Sequence, residues 1–163
     1  MAVFIRKMTE DEFESFHRLS IDDQAKDLME ETGLSQQQAV KEAEKEFSDI
    51  LPDGLNTANN HLMSIVEMKT GDPVGFIWTL YEMTEGRKQS FLCDFAILES
   101  KRRKGYGAEA LLLAETQAAE AGCRESVLFV SDRNDAAKAL YTKCGYKILR
   151  QEGYGKYMVK NLP

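Results

Sequence analysis

Arg102-Arg103-Lys104-Gly105-Tyr106-Gly107-Ala108 follows a strand-like run, Phe91 to Leu98, and opens an apolar-periodic helical segment that continues to about Ala121. A strand, a basic glycine turn and a helix start together make a place for phosphate. Free backbone N–H groups and the positive end of the helix point at one spot there. Glycine at positions 105 and 107 lets the backbone close on an anion that a Cβ would hold away. The stretch predicts a phosphorylated cofactor before it says which one.

Val3-Phe4-Ile5 reads as a short first strand, and Thr9 with Glu12 three residues on forms a capping-box pattern. Phe13, Phe16 and Leu19, then Ala25, Leu28 and Met29, have helical spacing, with an irregularity expected around Ser20 to Asp23 and a stop at Gly33. Ser35 starts a second helix whose buried face is expected at Val40, Ala43, Phe47, Ile50 and Leu51, ended by Pro52-Asp53-Gly54. After a polar loop at Asn56 to Asn60, Leu62 to Met68 and Val74 to Tyr81 read as a hairpin around Lys69 to Pro73. The turn Glu85 to Lys88 leads into Phe91 to Leu98, which extends the hairpin to an antiparallel meander. Ser126 to Val130 is a strand reached through a helix, so it is expected to run parallel to the one before. Asn134 to Lys143 is a short helix, and Tyr146 to Arg150 with Tyr157 to Val159 closes the chain as a hairpin.

A chain of 163 residues fits one domain, 1–163, with a real core. Charge resumes at Arg6, so the N-terminus reads as neither signal peptide nor membrane span, and a cytoplasmic location is expected. Cys93, Cys123 and Cys144 are odd in number and lack CxxC spacing, which argues against a disulfide framework and against zinc. They are expected reduced and mostly buried, and no metal site is expected. The net charge of −6 conceals a division: residues 9 to 53 hold fourteen acids and four bases, the remainder thirteen acids and seventeen bases. An acidic segment of this kind raises the local concentration of a cationic amine or basic peptide, although two solvated helix faces produce the same pattern. No basic stripe with interleaved aromatics is present, so nucleic acid is not an expected partner.

Gly105-Tyr106-Gly107-Ala108-Glu109-Ala110 satisfies the loose dinucleotide fingerprint, with Glu125 near the place of its ribose-binding acid. A dinucleotide fold puts that turn after its first strand and needs further βα units, whereas a meander precedes it here. A P-loop is excluded because no Gly-Lys-Ser/Thr follows. A second constellation decides the reading: Asn134…Ala137…Leu140-Tyr141…Gly145-Tyr146, about thirty residues on. Arg102-x-x-Gly105-x-Gly107 resembles the acetyl-CoA pyrophosphate motif of the GNAT N-acetyltransferase superfamily, and the second constellation resembles the motif that follows it, at matching offsets. The resemblance extends to the element order β-α-α-β-β-β-α-β-α-β-β, is strongest from Phe91 to Tyr146 and is weak before Leu62.

The resemblance implies a mixed α+β fold: a mostly antiparallel sheet of about seven strands, a splayed parallel pair at its fourth and fifth strands, and about four flanking helices. It implies acetyl-CoA as cofactor, with the pantetheine arm in the splay. The backbone of Phe95, Ala96 and Ile97 is then expected on the pantetheine and acetyl carbonyl. Arg103, Lys104, Gly105, Tyr106, Gly107 and Ala108 are expected around the pyrophosphate, with Arg102 and Lys101 adding positive charge. Asn134, an N-cap by position, matches a residue that bonds the cofactor.

Acetyl transfer requires a neutral amine, a stabilised oxyanion and a proton for the departing thiolate. By resemblance, Tyr141 is the general acid, pointing at the cofactor sulfur; packing between helix and sheet is its other possible role. A strand N–H near Phe95 or Ala96 is expected to polarise the carbonyl. Asp94, an acid in an apolar strand, is the first candidate base, on the expectation that burial raises its pKa. Alternation puts it opposite Cys93 and Phe95 unless a bulge intervenes. Glu67 and Glu82, read as surface residues, and an ordered water are the alternatives. Cys93 stands where some relatives carry glutamate, which leaves a non-catalytic acyl-CoA sensor or interaction module as the other function class. The expected acceptor is an amine on a small molecule or protein, and the expected state is a monomer or homodimer, since exposed strand edges can pair.

Overall fold

The computed structural model describes residues 1–163. Strand β1 (Val3–Lys7) is followed by helices α1 (Glu10–Thr32) and α2 (Gln36–Ile50), then strands β2 (Asn60–Glu67), β3 (Pro73–Thr84) and β4 (Arg87–Ile97). Helix α3 (Tyr106–Glu120), strand β5 (Glu125–Ser131), helix α4 (Asp135–Lys143) and strands β6 (Lys147–Glu152) and β7 (Gly155–Asn161) complete the chain. The element order is the one expected from the sequence. Two compact units are distinguished: Met8–Asn60, which contains the first two helices, and Met1–Lys7 with His61–Pro163, which carries the sheet.

In the helical unit both N-termini close with capping boxes, Thr9 with Glu12 and Ser35 with Gln38, so side chains satisfy donors the helices leave open. Ile21 and Ala25 of α1 pack with Ala39 and Ala43 of α2, and the three alanines let the two backbones approach. The irregularity expected at Ser20 to Asp23 is absent: α1 runs unbroken, because Ile21 and Ala25 continue an i, i+4 face. The face of α2 expected to be buried is found at Val40, Ala43, Phe47 and Leu51, with Ala39 added to it, while Ile50 is exposed.

The sheet order is β1-β2-β3-β4-β5-β7-β6. Strands β1 and β2, β3 and β4, β5 and β7, and β6 and β7 pair antiparallel, whereas β4 and β5 run parallel, as a helical crossover demands. Val3, Ile65, Ile77, Leu92, Leu128 and Met158 build the core with Tyr106, Ala110, Leu111 and Ala114 of α3. A polar chain is buried among them. The Tyr146 hydroxyl donates to Glu115 Oε2 at 3.0 Å and lies 2.7 Å from Ser126 Oγ, while Lys160 Nζ donates to Glu115 Oε1 at 2.6 Å. All three cysteines are free, but only Cys123 is buried; Cys93 and Cys144 are partly exposed. No helix is long and apolar enough to cross a membrane.

Candidate active site

Strands β4 and β5 pair only from Gln89 and Glu125 to Leu92 and Leu128, and beyond that register they separate. The cause is local to β4. Trp78 pairs with Asp94 and Thr79 with Leu92, so Cys93 is an extra residue, a bulge that bends the strand. Across the gap, Asp132 ties down the end of β5: its carboxylate accepts from Lys156 Nζ at 2.5 Å and Gln151 Nε2 at 2.7 Å. The first of these bonds, then the second, holds the Asp132 carboxyl below the usual aspartate range.

The gap opens a cavity of about 170 Å³ bounded by Cys93, Asp94 and Phe95 on one strand, Phe129 and Ser131 on the other, and Tyr141 of α4. A groove of about 660 Å³ shares Phe95, Asn134, Ala137 and Tyr141 with that cavity and continues along the start of α3. Of the residues expected at the cofactor, Phe95, Ala96, Ile97, Arg102, Arg103, Gly105, Tyr106, Gly107, Ala108 and Asn134 all line the groove. Lys104 does not, and the Tyr106 ring turns inward to the core, leaving its backbone for the groove. Helical spacing from Asn134 carries Ala137 and Tyr141 onto the same face, a signal by which Ala137 was legible. Leu140 and Lys143 also line the groove without being expected.

The groove wall is rich in open donors. The backbone N–H groups from Arg103 to Ala108 have no backbone acceptor, and the first return bond runs from Glu109 N–H to the Gly105 carbonyl. Arg103 (φ 65°) and Gly105 (φ 81°) both adopt the left-handed conformation that turns these groups together. A Cβ on Gly105 would meet nothing, so glycine serves the backbone angle there; a Cβ on Gly107 would lie 3.5 Å from Phe95 and 3.6 Å from Leu140, inside the groove.

On β4, Leu98 N–H donates to the Val74 carbonyl at 2.8 Å, so by antiparallel alternation Ala96 also faces β3, and Phe95 and Ile97 turn their backbone groups into the gap. This divides the two expected carbonyl-polarising donors: Ala96 is committed to the sheet, and Phe95 N–H donates to Asp94 Oδ1 at 2.9 Å. Arg102 Nε donates to the Ile97 carbonyl at 2.9 Å.

Burial expected at Asp94 is not found. The bulge turns the residue to an exposed position that still borders the cavity beside Cys93 and Phe95. Tyr141 is 8 % exposed, edge-on to Tyr146 with ring centroids 5.8 Å apart. Burial first, then the charges of Asp94 and Cys144, pushes its phenol up to about 12. Burial, with Glu82 and Asp94 adding, likewise pushes the Cys93 thiol up to about 12. Glu67 corrects the surface reading: it is 6 % exposed, lines neither cavity, and accepts from the Tyr106 hydroxyl and from Thr70 Oγ1. Glu82 is exposed and accepts from Gln89 Nε2 at 2.8 Å.

Residues 13–146 match the family model described as the acetyltransferase (GNAT) family. The chain belongs to that family. The uncharacterized N-acetyltransferase YdgE of Bacillus subtilis (strain 168) is 29 % identical over 146 residues, covering 90 % of this GNAT chain and 92 % of its own. The uncharacterized N-acetyltransferase YycN of the same organism has a crystal structure that superposes with a TM-score of 0.80 at 26 % identity, over 93 % of this chain and 96 % of that one. The fold is shared as well with PaiA N-acetyltransferase from Thermoplasma acidophilum, solved in complex with coenzyme A, at a TM-score of 0.69 and 20 % identity over 99 % of each chain.

Proposed function

We propose that this GNAT protein transfers an acetyl group from acetyl-CoA directly to a primary amine of a small molecule or protein. The observation that carries the reading is the run of open N–H groups from Arg103 to Ala108 on a groove that ends at Tyr141. Donors of this kind, with the positive end of α3 and the side chains of Lys101 and Arg103, fit a diphosphate. Gly107 keeps the groove clear. The Phe95 carbonyl and Ile97 N–H, facing the gap, fit an amide-bearing arm laid along β4 as a further strand. Asn134 Oδ1 caps α4 by accepting from Ala137 N–H at 3.1 Å, which leaves its amide N–H groups for the cofactor.

When bound, acetyl-CoA supplies an acetyl group activated as a thioester. Tyr141 holds its proton throughout the neutral range, gives it to the departing sulfur and regains one from the acceptor nitrogen as the amide forms. Phe95 N–H polarises the carbonyl once it exchanges its bond to Asp94 for one to the acetyl oxygen. The carboxylate so released takes the proton of the incoming ammonium and passes it to the solvent to which it is open. Cys93 stays a neutral thiol, which supports direct transfer over an acyl-cysteine. The acidic excess of residues 9 to 53 favours a cationic acceptor.

Calorimetric titration separates this from a nicotinamide or nucleotide enzyme. Acetyl-CoA is expected to bind at about 10 µM or tighter, near −7 kcal/mol, with no heat from NAD or ATP; the reverse pattern overturns the assignment.

A further inference from the structure

Glu67 is the last residue of β2, and its carboxylate is buried beneath the phosphate-type loop. It accepts a hydrogen bond from the Tyr106 hydroxyl and another from Thr70 Oγ1 at 3.0 Å, and Lys101 Nζ lies 3.7 Å away. Lys101 and Tyr106 are the two feet of the loop, and between them stand Arg103 and Gly105, both left-handed. Lys101 and Tyr106 also line the groove, and Tyr106 N–H is one of its open donors. One carboxylate therefore grips both ends of a loop that holds Arg103 in a left-handed conformation disfavoured for a residue with a Cβ.

We propose that Glu67 is a positioning residue for cofactor binding: by holding Lys101 and Tyr106 it sets the loop in its diphosphate-binding form before the cofactor arrives. This rests on the transferase reading above. A preformed cluster of donors binds an anion without the cost of ordering them, so the contribution falls on affinity and not on the chemical step. The bonds from Tyr106 and Thr70 keep the carboxylate ionised, as the role requires.

Tyr106→Phe, Glu67→Ala and Glu67→Gln, with the Tyr106→Phe/Glu67→Ala pair, test this by CoA calorimetry and by steady-state kinetics. Tyr106→Phe is the decisive variant, because it keeps the ring that fills the core. Tyr106→Phe and Glu67→Ala are each expected to raise the CoA Kd and the acetyl-CoA KM about tenfold, with kcat at saturation and the amine KM changed by less than about twofold. Glu67→Gln, which can still accept from Tyr106, recovers much of the loss, and the double variant is no worse than either single. The proposal is overturned if folded Tyr106→Phe, checked by its melting temperature, binds CoA as the wild type does, or if kcat falls instead of affinity. Failure of the wild type to bind CoA at all would instead remove the transferase reading beneath it.

Discussion

Tyr141 is the residue on which the proposed chemistry depends, and its surroundings define what its loss should do. The ring is packed against Tyr146, so Phe at this position keeps the fold and the groove and removes only the proton. Tyr141→Phe is expected to lower kcat by about a hundredfold, within the range of a general acid, with CoA affinity changed by less than about twofold. Unchanged turnover in a stopped-flow or steady-state assay would take the acid role from it. That Tyr141, Asn134 and the loop residues other than Lys104 share one groove was legible in the sequence, because short spacings are preserved by local structure. Glu67 was not, since its partner Tyr106 is thirty-nine residues away and its burial exists only once β2 and α3 meet. Asp94 misled for a related reason: an acid in an apolar strand reads as buried, and the extra residue that turns it outward is visible only in the pairing of β3 with β4.

The loop into α3 shows how two glycines of one motif do different work. Gly105→Ala meets no atom but must hold a left-handed angle, at about 1 kcal/mol of backbone strain, so it should lower the melting temperature and loosen the loop. Gly107→Val has an unremarkable backbone and places its side chain against Phe95 and Leu140, so it should leave stability nearly intact and weaken CoA binding by at least about tenfold. Thermal melts and CoA titrations of the two variants, read side by side, check the distinction; equal losses of binding at equal stability would refute it. The sequence reading gave both glycines one task, because spacing alone cannot separate a required angle from a required space. The parallel β4–β5 pair followed directly from a helical crossover, whereas the place of β7 between β5 and β6 was not read from the sequence. The continuity of α1 did not follow, since Ser20 to Asp23 looks polar until Ile21 is seen packed with α2.

Across the whole molecule, buried phenols are expected to lower stability at alkaline pH. Burial pushes Tyr81 and Tyr141 from an ordinary value of 10.0 up to about 12 in the folded protein. The unfolded chain loses these protons first, so stability is intact below pH 10 and is lost as pH rises from about 10 to about 12. The melting temperature should fall across that window, and Tyr81→Phe should flatten the fall; an unchanged melt from pH 9 to about 12 would contradict the burial of these groups. The acidic excess of residues 9 to 53 was plain in the composition, whereas the identity of the acceptor was not, because an amine is chosen by shape as well as charge. The central claim, acetyl transfer to an amine, is tested most directly by measuring free-thiol release from acetyl-CoA across a panel of polyamines, aminoglycosides and peptide N-termini. Acceptor-dependent thiol release with a matching acetylated product is the result expected. CoA binding with no acceptor-dependent release from any amine would contradict the claim and leave a protein that senses the cofactor without using it.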